Sequence, residues 1–191
     1  MELLKQRILK DGTEIGTEIV KVDSFLNHQL DVGLFLEIGK EIKHRFSDCN
    51  INKILTIESS GIAIAALTAL FFNNIPVVFA KKTQPSTMTQ EFYGSPIKSF
   101  TKGTVSMARV SKQYLHSNDN VLIIDDFLAH GEAAGGLAEL VKQAGGTVCG
   151  IAAVIEKEYQ GGSTRLRAAG YRVDSLAVIE KIENGRICFK N

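Results

Sequence analysis

Two adjacent carboxylates, Asp125 and Asp126, precede Phe127-Leu128-Ala129-His130-Gly131-Glu132-Ala133, a stretch rich in small residues. Ionised carboxylates only accept hydrogen bonds, so a neighbouring pair suits adjacent hydroxyls or a hard divalent cation. Small residues at Ala129, Gly131 and Ala133 let the backbone come close to a ligand. A helix that starts there turns its first N–H groups, and the positive end of its dipole, toward an anion. Hydroxyl acceptors beside an anion seat describe a site for a sugar phosphate. A solvated strand end followed by a helix cap is the plainer reading of the same residues.

These groups need elements to hold them. Val121 to Ile124 is a run of branched apolar residues, which reads as a strand buried on both faces in the middle of a parallel sheet, with the acids where it ends. Ala133, Leu137, Leu140, Val141 and Ala144 then recur at helical spacing, so the loop opens a helix over Glu132 to Ala144. Lys53 to Ile57 repeats the pattern. It ends in Glu58-Ser59-Ser60-Gly61 and leads into an apolar helix from Ile62 to Phe72, giving a second anion seat or a purely structural turn.

Pro76 to Ala80 reads as a third strand, running into Lys81-Lys82. Ligands of open α/β sheets bind outside the carboxyl ends of the strands, so these ammonium groups face the same crevice unless they form a solvated basic edge. Thr147 to Ile155 is the next strand and delivers Lys157 to that side. Val173 to Ile182 returns as an edge strand, and Asn184-Gly185 turns into a last short strand. Near the start, Glu2 to Lys10 reads as an amphipathic helix, Ile15 to Lys21 as strand-like and Val32 to Phe46 as a surface helix. Residues 20 to 29 fit neither period and read as a loop. Its Asn27 offers both donor and acceptor, or simply forms a turn.

Composition narrows the classes. A chain of 191 residues makes one α/β domain that buries roughly 70% of its unfolded surface. The net charge of +1 favours neither nucleic acid nor a membrane surface. The longest apolar stretch, Ile62 to Phe72, is well short of the ~20 residues of a membrane span. The early charges in Met1-Glu2-Leu3-Leu4-Lys5 do not make a signal peptide. Three scattered cysteines, Cys49, Cys149 and Cys188, read as free thiols of a cytoplasmic protein. Gly136 precedes Leu137 instead of Lys and no G-x-G-x-x-G occurs, which excludes a nucleotide P-loop and a dinucleotide fingerprint. Residues 81 to 112 hold six bases against one acid, Glu91, with Pro85 and Pro96 among Ser, Thr and Gly. This reads as a flexible flap with a hairpin near Ser95 to Phe100 and Thr104 to Val110, able to close over an anionic substrate. A nucleic-acid arm is the alternative, because Phe92, Tyr93 and Phe100 interleave with the bases.

The apolar strand, Asp125-Asp126, two further residues and the small-residue loop together resemble the signature of the purine/pyrimidine phosphoribosyltransferases. Most members close the loop with Thr-Gly and a final Thr or Ser. The hydroxyl-free loop Ala129-His130-Gly131-Glu132-Ala133 is similar to that of the xanthine branch, where Asn and Gln are expected in place of His130 and Glu132. Glu132 beside a phosphate is repulsive unless its side chain turns outward.

The resemblance implies an α/β fold with a twisted, mainly parallel sheet flanked by helices, a hood from residues 1–30 and 157–191, and a flap at 81–112. It implies a homodimer that uses small-molecule substrates. The implied reaction moves the 5-phosphoribosyl group of 5-phosphoribosyl 1-diphosphate to N9 of xanthine, releasing pyrophosphate, with Mg²⁺ carried mainly by the diphosphate donor and not by a protein cage. Asp125 and Asp126 then hold the ribose, and the loop from Ala129 to Ala133 the 5′-phosphate. Ser59, Ser60, Gly61, Lys81 and Lys82 meet the pyrophosphate, and Val20, Asn27 and Lys157 the purine. Guanine or hypoxanthine transfer, or a non-catalytic purine or donor sensor on the same fold, are the other readings the resemblance leaves.

Overall fold

Leu4 and Ile8, one turn apart, are the buried stripe of the first helix, α1 (Glu2–Asp11), in this computed structural model, which describes residues 1–83, 91–99 and 104–190. A two-stranded hairpin follows, β1 (Thr13–Ile15) and β2 (Ile19–Lys21), then a π-helical turn over Asp23–Asn27 that buries Phe25 and Leu26. The segment read as a loop is thus hairpin and helical turn. Its apolar residues alternate too briefly to register as a period, yet Val22, Phe25 and Leu26 anchor it in the core.

Helix α2 (Val32–Arg45) starts where the Asp31 carboxylate accepts the Leu34 N–H at 3.0 Å, satisfying one orphan donor of the first turn. Strand β3 (Lys53–Ile57) is buried along its whole length. Its first residue, Lys53, is tolerated there because it meets Asp119 at 2.6 Å and the Tyr114 carbonyl at 2.7 Å. Helix α3 (Ser60–Ala69) starts two residues earlier than its apolar run and finishes in a 3₁₀ turn, Leu70–Phe72. Strand β4 (Val77–Ala80) completes this unit.

Strands β5 (Phe92–Ser99) and β6 (Thr104–Ser111) form an antiparallel ladder, longer than the hairpin read from the sequence. Pro85, Phe100 and Lys102 of the flap lie outside the described residues. Then come β7 (Asn120–Leu128), α4 (Glu132–Gln143), β8 (Thr147–Lys157), α5 (Gly162–Ala168), β9 (Val173–Glu183) and β10 (Arg186–Phe189).

One six-stranded sheet runs in the order β10-β9-β8-β7-β3-β4. All neighbours are parallel except β9 and β10, which join through Asn184-Gly185, both at positive φ. Strand β9 is therefore not the edge strand expected from the sequence: β10 covers it. With β9 and β10 in the main sheet, much of the C-terminal stretch expected in the hood is sheet. Met1 and Lys5 nevertheless tie the N-terminus to it, donating to the carbonyls of Leu176 and Lys190.

Side chains alternate across β7. Leu122 and Ile124 enter one core layer with α2, α3 and the N-terminal elements, while Val121 and Ile123 enter the other with α4, β5, β6 and α5. The β5–β6 hairpin docks on α4, where Gln143 exchanges two hydrogen bonds with the Gly94 backbone. The sheet's C-terminal edge is left to carry the polar residues.

Candidate functional site

The parallel ladder between β7 and β8 continues past the apolar run to Leu128 opposite Glu156. The two acids accordingly sit inside β7, not beyond its end, and are held by backbone pairing. Asp125 is buried, and one of its carboxylate oxygens accepts the Asp126 N–H at 3.0 Å. Burial, and then the neighbouring Asp126, hold the Asp125 carboxyl well above the usual carboxylate range. Asp126 is half-buried, with its carboxyl within hydrogen-bond reach of the Asp125 carboxyl.

After Leu128 the chain turns through Ala129 and His130 to Gly131, whose φ of +76° precedes the first turn of α4. Helix α5 presses against this loop. The Gly162 N–H donates to the Ala129 carbonyl at 3.1 Å. A β-carbon on Gly162 would lie 2.3 Å from that oxygen and 2.7 Å from the Gly131 nitrogen, so only glycine permits the approach. The Glu132 carboxylate reaches across to Arg165 of α5 at 2.5 Å, and the His130 ring sits 3.2 Å from the Gln160 carbonyl.

Lys157, at the end of β8, donates to the Glu18 carbonyl in the β1–β2 turn at 2.7 Å, and the Tyr159 hydroxyl donates to the same oxygen at 3.1 Å. The Lys157 ammonium also lies 5.5 Å from the Phe127 ring centroid. Burial lowers its pKa below that of an ordinary lysine. The adjacent Glu156 is buried and accepts hydroxyl hydrogen bonds from Ser163 and Ser175, which fixes the strand end against α5 and β9.

A cavity of about 590 Å³ opens at this edge. Asp125, Ala129, His130, Gly131, Glu132, Ala133, Lys157 and Lys82 line it, together with Glu18, Ile19, Lys98 and Phe127. Asp126, Ser59, Ser60, Gly61 and Lys81 are not on its lining. Gly61 nonetheless packs against the backbone just before the acids, for its β-carbon would lie 3.5 Å from the Ile124 carbonyl. The peptide bond between Glu58 and Ser59 is cis, and the Glu58 carboxylate accepts the Lys82 N–H. Lys81 is turned into a backbone bridge with Arg109.

Val20 and Asn27, the hood residues expected at a base, are not on the lining of this cavity. Val20 is 5% exposed and packs in the core, since its side chain is on the inner side of β2. Asn27 is exposed and off the cavity lining, its π-helical turn having pointed Phe25 and Leu26 inward instead. Glu18 and Ile19 take that side. Phe127 carried no local signal, because the alternation of β7 breaks at the acids: Phe127 packs on the layer of Leu122 and Ile124, and Leu128 on the other. Glu18 acts through its carbonyl oxygen, for which no side-chain signal exists.

No group of three or more His, Cys, Asp or Glu side chains with metal-site geometry occurs among the described residues. The hard oxygens of Asp125 and Asp126 suit an ion such as Mg²⁺ that takes one or two carboxylates and the rest of its shell from a substrate phosphate. Among the described residues no helix is long and apolar enough to cross a membrane.

The backbone is similar to that of the adenine phosphoribosyltransferase of Rhodothermus marinus, with a TM-score of 0.72 and 25% identity over 93% of this chain and 97% of that one. For the enzyme of Leishmania tarentolae the TM-score is 0.75 over 92% and 87% of the two chains, at 18% identity. Such a sheet, with an acid pair beside a helix-start loop, is the phosphoribosyltransferase architecture.

No family model matches the chain. It is, however, 57% identical over 189 residues to the xanthine phosphoribosyltransferase of Ruminiclostridium cellulolyticum, covering 99% of both. Identity is 54% over 191 residues to that of Clostridium novyi, covering 100% of both, and 47% over 190 residues to that of Clostridioides difficile, again covering 100% of both. The chain belongs to the xanthine phosphoribosyltransferase family, a family of glycosyltransferase-type enzymes in purine salvage.

Proposed function

We propose that this chain transfers the 5-phosphoribosyl group of 5-phosphoribosyl 1-diphosphate to N9 of xanthine, giving xanthosine 5′-monophosphate and pyrophosphate. One observation carries the reading: Asp125, Lys157 and the loop from Ala129 to Ala133 line the same cavity. In this reading the loop's N–H groups hold the 5′-phosphate, while Asp125 and Asp126 accept hydrogen bonds from the ribose hydroxyls. As the bond to pyrophosphate lengthens, the sugar gains cationic character, and fixed carboxylates beside it lower the energy of that state. Mg²⁺ would be held mainly by the diphosphate donor, with Asp125 and Asp126 the nearby carboxylates able to complete its shell, and would neutralise charge on the leaving group. Ser59, Ser60 and Gly61, at the start of α3, and the Lys81-Lys82 pair meet that leaving group, with Lys82 alone of these on the cavity wall.

The purine lies between Phe127 and the β1–β2 turn. Lys157 exchanges the Glu18 carbonyl for the oxygen at purine C6, keeping its proton throughout. Xanthine presents an acceptor at C2 where guanine presents a donor, and each mismatched polar group costs about 1–3 kcal/mol. A cytoplasmic homodimer acting on small molecules completes the reading, and the free thiols of Cys49, Cys149 and Cys188 suit a reducing compartment.

The test offers xanthine, guanine, hypoxanthine, adenine and orotate in turn to purified protein with Mg²⁺ and donor, following pyrophosphate release. Xanthine is expected to give the highest kcat/KM. A preference for another base moves the substrate assignment, and binding without turnover makes the protein a sensor.

A further inference from the structure

Glu132 poses a problem for a phosphate site. It is the first residue of α4, on the cavity lining, where its carboxylate can compete with a bound anion for the helix's N–H groups. It would also repel that anion directly. The carboxylate is instead drawn onto the Arg165 guanidinium at 2.5 Å. Exposed ion pairs usually matter little, since holding two long side chains together costs entropy. Here both backbones are already fixed. Gly162 binds the loop three residues before Arg165, leaving no room for a β-carbon, and the His130 ring meets Gln160 on the other side.

We propose that Arg165 is a positioning residue for donor binding, holding Glu132 off the anion seat and cancelling its charge. The inference rests on the reading that the loop from Ala129 to Ala133 takes the 5′-phosphate. Arg165 need not touch the donor. With Glu132 released, a full charge several ångströms from a phosphate weakens donor binding by about tenfold at the intermediate dielectric of a protein surface.

The test is steady-state kinetics on the full chain with Arg165→Ala, Arg165→Lys, Glu132→Gln and the Arg165→Ala/Glu132→Gln double variant. Arg165→Ala is expected to raise the donor KM about tenfold, the free-energy cost of one uncompensated charge, with kcat and the purine KM unmoved. Arg165→Lys recovers most of the affinity, and Glu132→Gln lowers the donor KM below that of the parent. The double variant matches Glu132→Gln, because Arg165 has nothing left to neutralise. An unchanged donor KM in Arg165→Ala overturns the inference. So does a double variant as impaired as Arg165→Ala, which would put Arg165 on the donor itself or on the fold. Parent enzyme that releases no pyrophosphate defeats the underlying reading, whereas an active parent with an unmoved Arg165→Ala defeats this inference alone.

Discussion

Strands β3 and β7 lie side by side, and each passes through a turn of small residues into a helix. Locally the two units are alike, yet they differ in what surrounds them. The β7 loop is walled by α5 at Gly162, by Lys157 of β8 and by the β1–β2 turn at Glu18. The β3 turn faces the short edge strand β4 and is tied to it through Glu58 and the Lys82 N–H, with Ser59 exposed. A helix start is therefore an enclosed seat only where other elements close around it. The division suits the proposed reaction, in which the 5′-phosphate stays seated through the transfer step while pyrophosphate is the leaving group.

The largest effects should come from the β7 side. Asp126→Asn is expected to cut kcat about a hundredfold, the size of loss when one preorganised group aimed at developing charge is removed, with Tm unmoved. An unchanged rate would remove the ribose assignment. Asp125→Asn should lose turnover too, but with a different stability signature. Because burial raises the folded-state pKa of Asp125, the folded chain holds this proton more tightly than the unfolded chain. Its stabilising contribution is thus complete below the unfolded value and fades as pH rises through the folded one. Asparagine keeps the acceptor for the Asp126 N–H without the titration. Thermal melts from pH 4 to 8 should show Asp125→Asn gaining on the parent as pH rises. A constant difference would contradict the burial argument.

Gly162→Ala tests the wall rather than the acids. Its new methyl meets backbone atoms of the loop, which cannot swing aside, so overpacking should cost about 1–3 kcal/mol, seen as a lower Tm and a donor KM raised about tenfold. Lys157→Met tests the wall at β8. It should raise the purine KM about tenfold, as expected for losing one charged hydrogen bond, with the donor KM unaffected. Since burial depresses the Lys157 pKa, purine affinity should fall at a lower pH than an ordinary lysine would set, and that alkaline decline should vanish in the methionine variant.

What could be read in advance follows the same division. The apolar run of β7, the helical spacing of α4 and the strand of Lys53 to Ile57 carry strong local periodicity, and those elements fall where the pattern puts them. The placement of Asp125, Lys82 and Lys157 on one cavity follows from strand ends sharing one sheet edge. Tertiary facts were out of reach. The Asn184-Gly185 turn does signal the hairpin of β9 and β10, but nothing local tells that Val20 turns into the core, or that Lys157 seeks a backbone oxygen in a distant turn. Gly162 reads as one glycine of a pair, and its role exists only once α5 is packed on the loop. The Glu132 and Arg165 partnership spans helices whose spacing the sequence does not encode.

The smallest effect should come from the β3 side, at Ser60. The residue is half-buried at the first position of α3 and off the cavity lining. If the turn meets only the leaving group, Ser60→Ala removes at most one hydrogen bond to pyrophosphate, a net contribution of about 1 kcal/mol. The backbone N–H groups of the helix start remain, so the anion keeps most of its seat. Product inhibition by pyrophosphate should then weaken about fivefold, the affinity equivalent of that energy, while kcat and the purine KM hold. The asymmetry between the two turns is what this variant measures. A loss in kcat as deep as that of Asp126→Asn would mean that the β3 turn grips the reacting sugar as closely as β7 does, and the distinction between a retained and a departing phosphate would collapse.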